Sequence, residues 1–279
     1  MLIASYAKIN LFLEVCGKLP NNYHQVNTVF SSIDLFDSLS FELSSSPGIH
    51  LSCSNPDLAS PHNLVYKIAE YLHNTYHPEM GVRIHLDKHI PIAAGLGGGS
   101  SNAAETLKCL NKLWELGLSS NELHQIASGF GSDINFFLEG GCALGTNRGE
   151  QITALAPINI SHILLVNPGI AIPSSLAYKL VLIPSPEQQR QFDSHNLNES
   201  CFNRLEAGIR QYFPEVDALL RSISGFGAEV SMLSGSGSTC FGIFPNPDDL
   251  ERCKSHFNSL GIWTHKTCTI TPQQAILPL

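Results

Sequence analysis

Paired cysteines, basic clusters and long apolar runs are all missing from this sequence. The eight cysteines stand at Cys16, Cys53, Cys109, Cys142, Cys201, Cys240, Cys253 and Cys268, with no CxxC pair among them. A zinc site therefore has no framework, and buried free thiols are expected. Charged residues make up only 14%, and 24 acidic against 16 basic side chains give a net charge of −8. Lys and Arg are scattered, so DNA or RNA is not expected as a main partner. An anionic ligand must then be held by local features, not by a global positive field. No apolar run approaches the roughly 20 residues that cross a bilayer, so no membrane is expected as a partner. The opening MLIASYAKINLFLEV carries Lys8 and Glu14 inside its apolar part and lacks a small-residue cleavage pattern after a basic start. It reads as a first strand, not a signal peptide, and a soluble cytoplasmic protein is expected. Two histidine pairs have i, i+4 spacing, but neither suits a metal. His85 and His89 lie on a strand-like alternation that separates them by about 13 Å. His73 and His77 end a helix without the Glu of a HExxH site. No protein metal ligand is predicted.

What is present is enough apolar material, 43% of 279 residues, for two cores. Residues 2–15 and 26–43 alternate like strands, and 47–61 hold a short strand in a Pro-, Ser- and Asn-rich stretch. Asn63–Tyr76 has helical apolar spacing, and Val82–Leu86 is the next strand. A helix is predicted over Asn102–Leu116, with Asn102 as N-cap and Glu105 as its N3 partner. Ser119 and Glu122 repeat that pattern for a helix ending near Gly129. The segment GEQITALAPINIS reads as a connection. The division is therefore placed at 1–155 and 156–279. HILLVNPG follows as a buried strand, 184–198 as an exposed loop, 199–211 and 214–223 as helices, and EVSMLSGSGSTCFGIF as strand, glycine turn, strand. The mixed order predicts an α+β fold.

The segment PIAAGLGGGSSNAAE at 91–105 carries Gly95, Gly97, Gly98 and Gly99 directly before a helix. It is not a Walker A loop, because Ser100 stands where the second Gly should be and no Lys follows. It is not a dinucleotide fingerprint either, since Ser100 again breaks the third Gly. Bare backbone nonetheless lets N–H groups converge on one anion, and a helix N-terminus favours negative charge there. Ser100 and Ser101 add hydroxyls suited to a phosphate oxygen or a phosphate-bound Mg²⁺. A plain connection needs fewer glycines. A second small-residue loop, LSGSGSTC at 233–240, is either a hairpin turn alone or a partner closing over the same polyphosphate. Phosphoryl transfer needs charge neutralisation and often a carboxylate to take a proton. Lys8, inside an apolar strand, is either a snorkelling edge residue or such a cation. Asp133, in GFGSDINFF, is either a helix N-cap or such a base.

SYAKINLFL, PIAAGLGGGSSNAAE and LSGSGSTCFGIF together resemble the three motifs of the GHMP kinase superfamily, over about residues 4–244. With NNYHQVNTVF and GSDINFF, the chain is similar to the family within it that phosphorylates 4-diphosphocytidyl-2-C-methyl-D-erythritol. The resemblance implies a ribosomal-protein-type N-terminal domain and a ferredoxin-like C-terminal domain with the site between them. It implies ATP, with Mg²⁺ held mainly by the phosphates, and a small-molecule substrate bearing a cytidine diphosphate, phosphorylated on its 2-hydroxyl in the non-mevalonate route to isoprenoids. On this template Lys8 and Asp133 are the catalytic pair and Asn10 positions substrate. Pro91, Ile92, Ala93, Ala94, Gly95, Leu96, Gly97, Gly98, Gly99, Ser100 and Ser101 wrap the ATP phosphates. Asn63, Leu64 and Val65 approach adenine, Tyr23 and His24 bind cytidine, and Pro173 and Ser174 lie on the far side of the cleft. Ile92-Ala93-Ala94 departs from the Met-Gly-Gly or similar that relatives often carry, which reduces backbone freedom slightly. A mevalonate or homoserine kinase, and a nucleotide-binding module without turnover, are the alternatives. A monomer or weak dimer is expected.

Overall fold

The structure, a computed structural model, describes residues 1–272. Its first half runs β1 (Leu2–Lys18), β2 (His24–Ser44), β3 (Ile49–Cys53), α1 (Leu64–Tyr76), β4 (Gly81–Asp87), α2 (Gly98–Leu113), α3 (Ser120–Phe130), α4 (Ile134–Glu139), β5 (Cys142–Thr146) and β6 (Gln151–Ala154). The second runs β7 (Ile163–Asn167), α5 (Ser174–Leu180), α6 (Leu197–Ser200), β8 (Phe202–Asn203), α7 (Glu206–Tyr212), α8 (Pro214–Gly225), β9 (Val230–Leu233), β10 (Cys240–Ile243), α9 (Pro247–Ser259) and β11 (Trp263–Thr267). Among the described residues no helix is long and apolar enough to cross a membrane.

Two sheets form. The larger runs β3-β4-β2-β1-β8, with β5 also on β2 and β6 on β5; the smaller runs β11-β7-β10-β9. Strand alternation sends successive side chains of β1 to opposite faces. Ala7, Ile9 and Leu11 therefore enter a core shared with Ile163, Leu165, Met232 and Phe241 of the smaller sheet. Lys8 and Asn10 project from the other face. A shift in β1–β2 register between Asn10 and Phe12 lies next to them, a common position for a bulge near a functional site. A second core packs α1, α2 and α4 on the larger sheet. A third packs α7, α8 and α9 on the smaller one. β7 is buried throughout because Leu164 and Val166 face that third core while Ile163 and Leu165 face the shared one.

Three local readings of the sequence change in the fold. In the segment read as a connection, Gln151–Ala154 form β6 by pairing with β5. The helix expected from Asn102 begins four residues earlier, at Gly98, with Gly97 as N-cap and no side-chain cap. Asn102 and Glu105 are buried inside it. The Asn102 amide turns sideways to Ser5 and Asp37, and Glu105 pairs with Lys108 at 2.6 Å. The helix expected over 199–211 is broken by β8. There Phe202 and Asn203 pair in parallel with Phe12 and Leu13, and Asn203 Nδ2 donates to the carbonyls of Leu233 (2.8 Å) and Gly235 (2.7 Å). Tertiary pairing outweighs helical propensity there. The capping box of Ser119 and Glu122 forms as the sequence indicates. All eight cysteines are free; Cys109, Cys142, Cys240 and Cys253 are buried and the other four half-buried.

The two halves are pinned by Glu14. Its fully buried carboxylate takes both Nε and Nη2 of Arg204 at 2.7 Å and the backbone N–H groups of Val15 and Arg190 at 2.9 Å. Burial alone would push this carboxyl up; the Arg204 guanidinium and the two N–H donors outweigh it and hold it below the ordinary range. Its stabilisation is therefore present above the unfolded value of about 4.3 and lost as pH falls through the lowered folded value. Glu14→Gln is expected to lower the unfolding free energy at pH 7 by about 3 kcal/mol. The deficit should shrink on acidification, as read by urea titration at several pH values.

Candidate active site

A cleft of about 1400 Å³ opens between the sheets. Its lining includes Lys8, Asn10, Tyr23, His24, Asn63, Leu64, Pro91, Ile92, Ala93, Ala94, Gly95, Gly97, Gly98, Gly99, Ser100, Asp133, Pro173 and Ser174. Residues distant in sequence, and predicted separately to act together, thus share one cavity. Val65, Leu96 and Ser101 correct the prediction. They are buried and do not reach the cleft. Val65 and Leu96 are apolar and fill core; the Ser101 hydroxyl accepts from Ser5 Oγ at 2.8 Å, facing away from the mouth expected for it. The side chain of Asn63 caps α1, accepting from Val65 N and donating to Leu58 O.

At the centre Lys8 Nζ lies 3.6 Å from Asp133 Oδ2, with the lysine side chain 4% exposed and the aspartate 35%. The ammonium donates to Asn10 Oδ1 at 2.6 Å. Asn10 Nδ2 donates to Thr28 Oγ1 at 2.7 Å, and Thr28 Oγ1 to Phe12 O at 2.7 Å. The chain of donors fixes which way Asn10 points. Lys8 also sits 5.5 Å from the Phe30 ring centroid. Burial pushes the Lys8 ammonium below the ordinary lysine range, while Asp133 pulls it the other way. Asp133 stands at the N-cap position of α4 but makes no capping hydrogen bond. Its carboxylate therefore stays free for the cleft.

Above this pair the glycine loop folds over and enters α2. Ala93 takes φ +51°, an uncommon conformation for a residue with a Cβ. Gly95 (φ +77°) and Gly97 (φ +70°) need the left-handed region. A Cβ on Gly95 would overlap the carbonyl oxygen of Ser234, and one on Gly97 would stand 2.7 Å from the Phe137 ring. Ser101 N is the first to find a helical acceptor here, Gly97 O at 2.9 Å. The N–H groups of Gly98, Gly99 and Ser100 precede it at the positive end of the helix. The 234–239 turn joins β9 to β10 and also meets this loop. Ser234 Oγ donates to Gly95 O at 3.0 Å and Thr239 N to Ala94 O at 3.2 Å. A Cβ on Gly235 would lie 3.2 Å from Lys8 Nζ.

The far end of the cleft is aromatic and basic. Tyr23 lies under the Arg148 guanidinium at 5.2 Å. His24 stacks on Tyr178 with centroids 5.0 Å apart and planes 23° apart. Burial, with a smaller contribution from Lys18, lowers the His24 pKa. Burial and then the charge of Asp133 raise that of Tyr178. Sequence reading missed Tyr178, Arg148, Lys18, Lys88, Lys179 and Thr28, all of which line the cleft. Isolated residues in ordinary contexts carry no motif, so only the fold could collect them. Among the described residues five cations and one carboxylate line this cavity; Lys8, Lys88 and Arg148 are ion-paired with Asp133, Asp37 and Glu150, so the positive field offered to an anionic ligand comes chiefly from Lys18 and Lys179.

Comparison with known proteins agrees with this geometry. The profile of the GHMP kinases N terminal domain matches residues 63–141, and that of the GHMP kinases C terminal matches 194–262. The chain belongs to the GHMP kinases. Among curated relatives of this kinase, the 4-diphosphocytidyl-2-C-methyl-D-erythritol kinase of Listeria welshimeri is 38% identical over 97% of this chain and 95% of the relative. The protein of the same name from Chloroherpeton thalassium is 38% identical over 90% and 92%. A crystal structure of 4-(cytidine 5'-diphospho)-2C-methyl-D-erythritol kinase superposes with a TM-score of 0.83 at 30% identity, covering 97% of this chain and 100% of that one. A mevalonate kinase structure, at 14% identity and TM-score 0.70, shares the two-domain fold.

Gly95→Ala should force the two loops apart, because both the φ angle and the Ser234 contact oppose a Cβ. A loss of at least ~10² in turnover is expected from misplacing the loop, with far-ultraviolet circular dichroism unchanged. Wild-type turnover in this variant would show that the loops need not touch.

Proposed function

We propose that this chain transfers the γ-phosphate of ATP to the 2-hydroxyl of 4-diphosphocytidyl-2-C-methyl-D-erythritol, giving the 2-phosphate and ADP, in the non-mevalonate route to isoprenoids. The observation that carries the reading is the position of the Lys8–Asp133 pair. It lies between a helix N-terminus built to hold phosphate and an aromatic end shaped for a pyrimidine. Near-full-length relatives bearing that kinase's name support it.

In this reading the N–H groups of Gly98, Gly99 and Ser100 and the α2 dipole hold the triphosphate. Leu64 and Asn63 flank adenine. Tyr23, His24 and Tyr178 take cytosine, rings by stacking and imidazole by its polar edge. Lys18, Arg148 and Lys179 face the substrate diphosphate. Asn10, Pro173 and Ser174 bound the methylerythritol. Asp133 accepts the hydroxyl proton as that oxygen attacks the γ-phosphorus; the bond to the β–γ bridging oxygen breaks and ADP leaves. Lys8 neutralises the nascent alkoxide and the phosphoryl oxygens.

Among the described residues, no three His, Cys, Asp or Glu side chains group as a metal site. One carboxylate and the Ser100 hydroxyl suit a Mg²⁺ that keeps its waters and rides mainly on phosphate. The ion would supply further charge neutralisation. The division at 1–155 and 156–279 assigns the nucleotide chiefly to the first part, with β8 crossing back. Action in the cytoplasm as a monomer or weak dimer, without nucleic acid or membrane, completes the reading. A module that binds nucleotide without turnover would have no use for a buried ammonium facing a free carboxylate.

The direct test is ADP release with Mg-ATP and 4-diphosphocytidyl-2-C-methyl-D-erythritol, run beside mevalonate and homoserine. ADP is expected with the first alcohol alone; release with either of the others instead would overturn the substrate assignment. Asp133→Asn should keep ATP binding and lose at least ~10²-fold in kcat. Tyr23→Ala should raise KM for the cytidyl substrate and leave KM for ATP alone. Because burial lowers the Lys8 pKa, activity should decline with rising pH below the ordinary lysine value of about 10.4. A pH–rate profile flat through that value would remove Lys8⁺ from the mechanism.

A further inference from the structure

Asp37 does not line the cleft, yet its carboxylate is completely buried and carries four hydrogen bonds. Oδ1 accepts from the backbone N–H groups of His89 (2.7 Å) and Ile90 (2.8 Å). Oδ2 accepts from Lys88 Nζ (2.6 Å) and Asn102 Nδ2 (2.9 Å). Four donors fill the lone-pair sites of one carboxylate. What they join is specific: residues 88–90 lead into the glycine loop, and Asn102 is on α2 just beyond it. Both ends of the loop are therefore tied to one rigid point on β2. Asn102 Nδ2 also donates to Ser5 Oγ at 2.9 Å, which in turn donates to Ser101 Oγ, so β1 joins the same network. Lys88 donates a second bond to Ile90 O at 2.9 Å and reaches the loop, since a Cβ on Gly98 would stand 2.9 Å from its Nζ.

We infer that Asp37 is a positioning residue for phosphoryl transfer, fixing the span between the two ends of the glycine loop and so the aim of its N–H groups at the nucleotide. The inference rests on the reading that nucleotide phosphates lie at that loop. Its physical content is that a loop with glycines at positions 95, 97, 98 and 99 has many conformations open to it. Converging donors need a frame to hold one of them. A buried ion pair contributes little net stability by itself, but a carboxylate contacting both ends of a loop sets their distance.

The test compares wild type, Asp37→Asn, Asn102→Ala and the double variant, with calorimetric binding of a non-hydrolysable ATP analogue and, separately, of 4-diphosphocytidyl-2-C-methyl-D-erythritol. Asn at position 37 can still accept from His89 and Ile90, but its NH₂ group would face the donors of Lys88 and Asn102. Analogue affinity should fall at least ~10-fold in Asp37→Asn, with cytidyl-substrate affinity unchanged and kcat reduced. The double variant should match Asp37→Asn, because the two residues act as one unit. Equal weakening of both ligands, or unchanged analogue affinity, would overturn the inference. If Asp37→Asn does not fold, Asn102→Ala alone must show the same nucleotide-only loss, and its absence is equally decisive. Failure of the wild type to bind the analogue would be a different result, removing the nucleotide site itself.

Discussion

Burial of the Lys8 ammonium is the constraint around which this cleft is organised. An isolated cation in such a place is strongly disfavoured, so the fold must supply partners from several directions. Asn10 accepts one of its hydrogens, the Phe30 ring presents its face, and Asp133 stands 3.6 Å away. Each partner comes from a different piece of chain. Strand alternation gives Asn10, the β1–β2 pairing gives Phe30, and the unused N-cap position of α4 gives Asp133. The bulge between Asn10 and Phe12 lets one strand serve the cleft at one end and the second-half core at the other.

The same economy of placement shows in the charge pattern. The molecule as a whole repels anions, yet the walls of the cleft are cationic. Cations gathered on the walls of one cleft hold a compact anion locally in a chain that has no global positive field to offer. The two glycine-containing loops reinforce this by meeting directly, through Ser234 and Thr239 on one side and Ala94 and Gly95 on the other. One backbone N–H and one serine hydroxyl thus join the two loops.

Much of this was legible in the sequence because it was local. The capping box at Ser119, the alternation of β1 and the glycine run each announce themselves within a few residues. The α2 start was misread for a physical reason. Asn102 and Glu105 have the right identities and spacing for a cap, but the asparagine amide is claimed by Asp37 and Ser5, and a helix can begin on glycines where its first N–H groups face a cavity. Ser101 was misplaced in the same way, since on a helix adjacent serines point some 100° apart and only Ser100 reaches the cleft. The split of 199–211 depended on a parallel partner almost two hundred residues away. The cationic lining was invisible because Lys18, Lys88, Arg148 and Lys179 share no pattern until the chain has folded.

The two-residue strand at Phe202–Asn203 has a consequence for how such a molecule can be recombined. It pairs with β1, the strand that bears Lys8, at Phe12 and Leu13, while Arg190 and Arg204 flank the Phe202 ring at 4.4 and 4.6 Å. Cutting the gene at the apparent seam near residue 155 would strip that pairing away. Chimeras that exchange acceptor preference between members of this lineage should therefore carry residues 190–204 along with the amino-terminal partner.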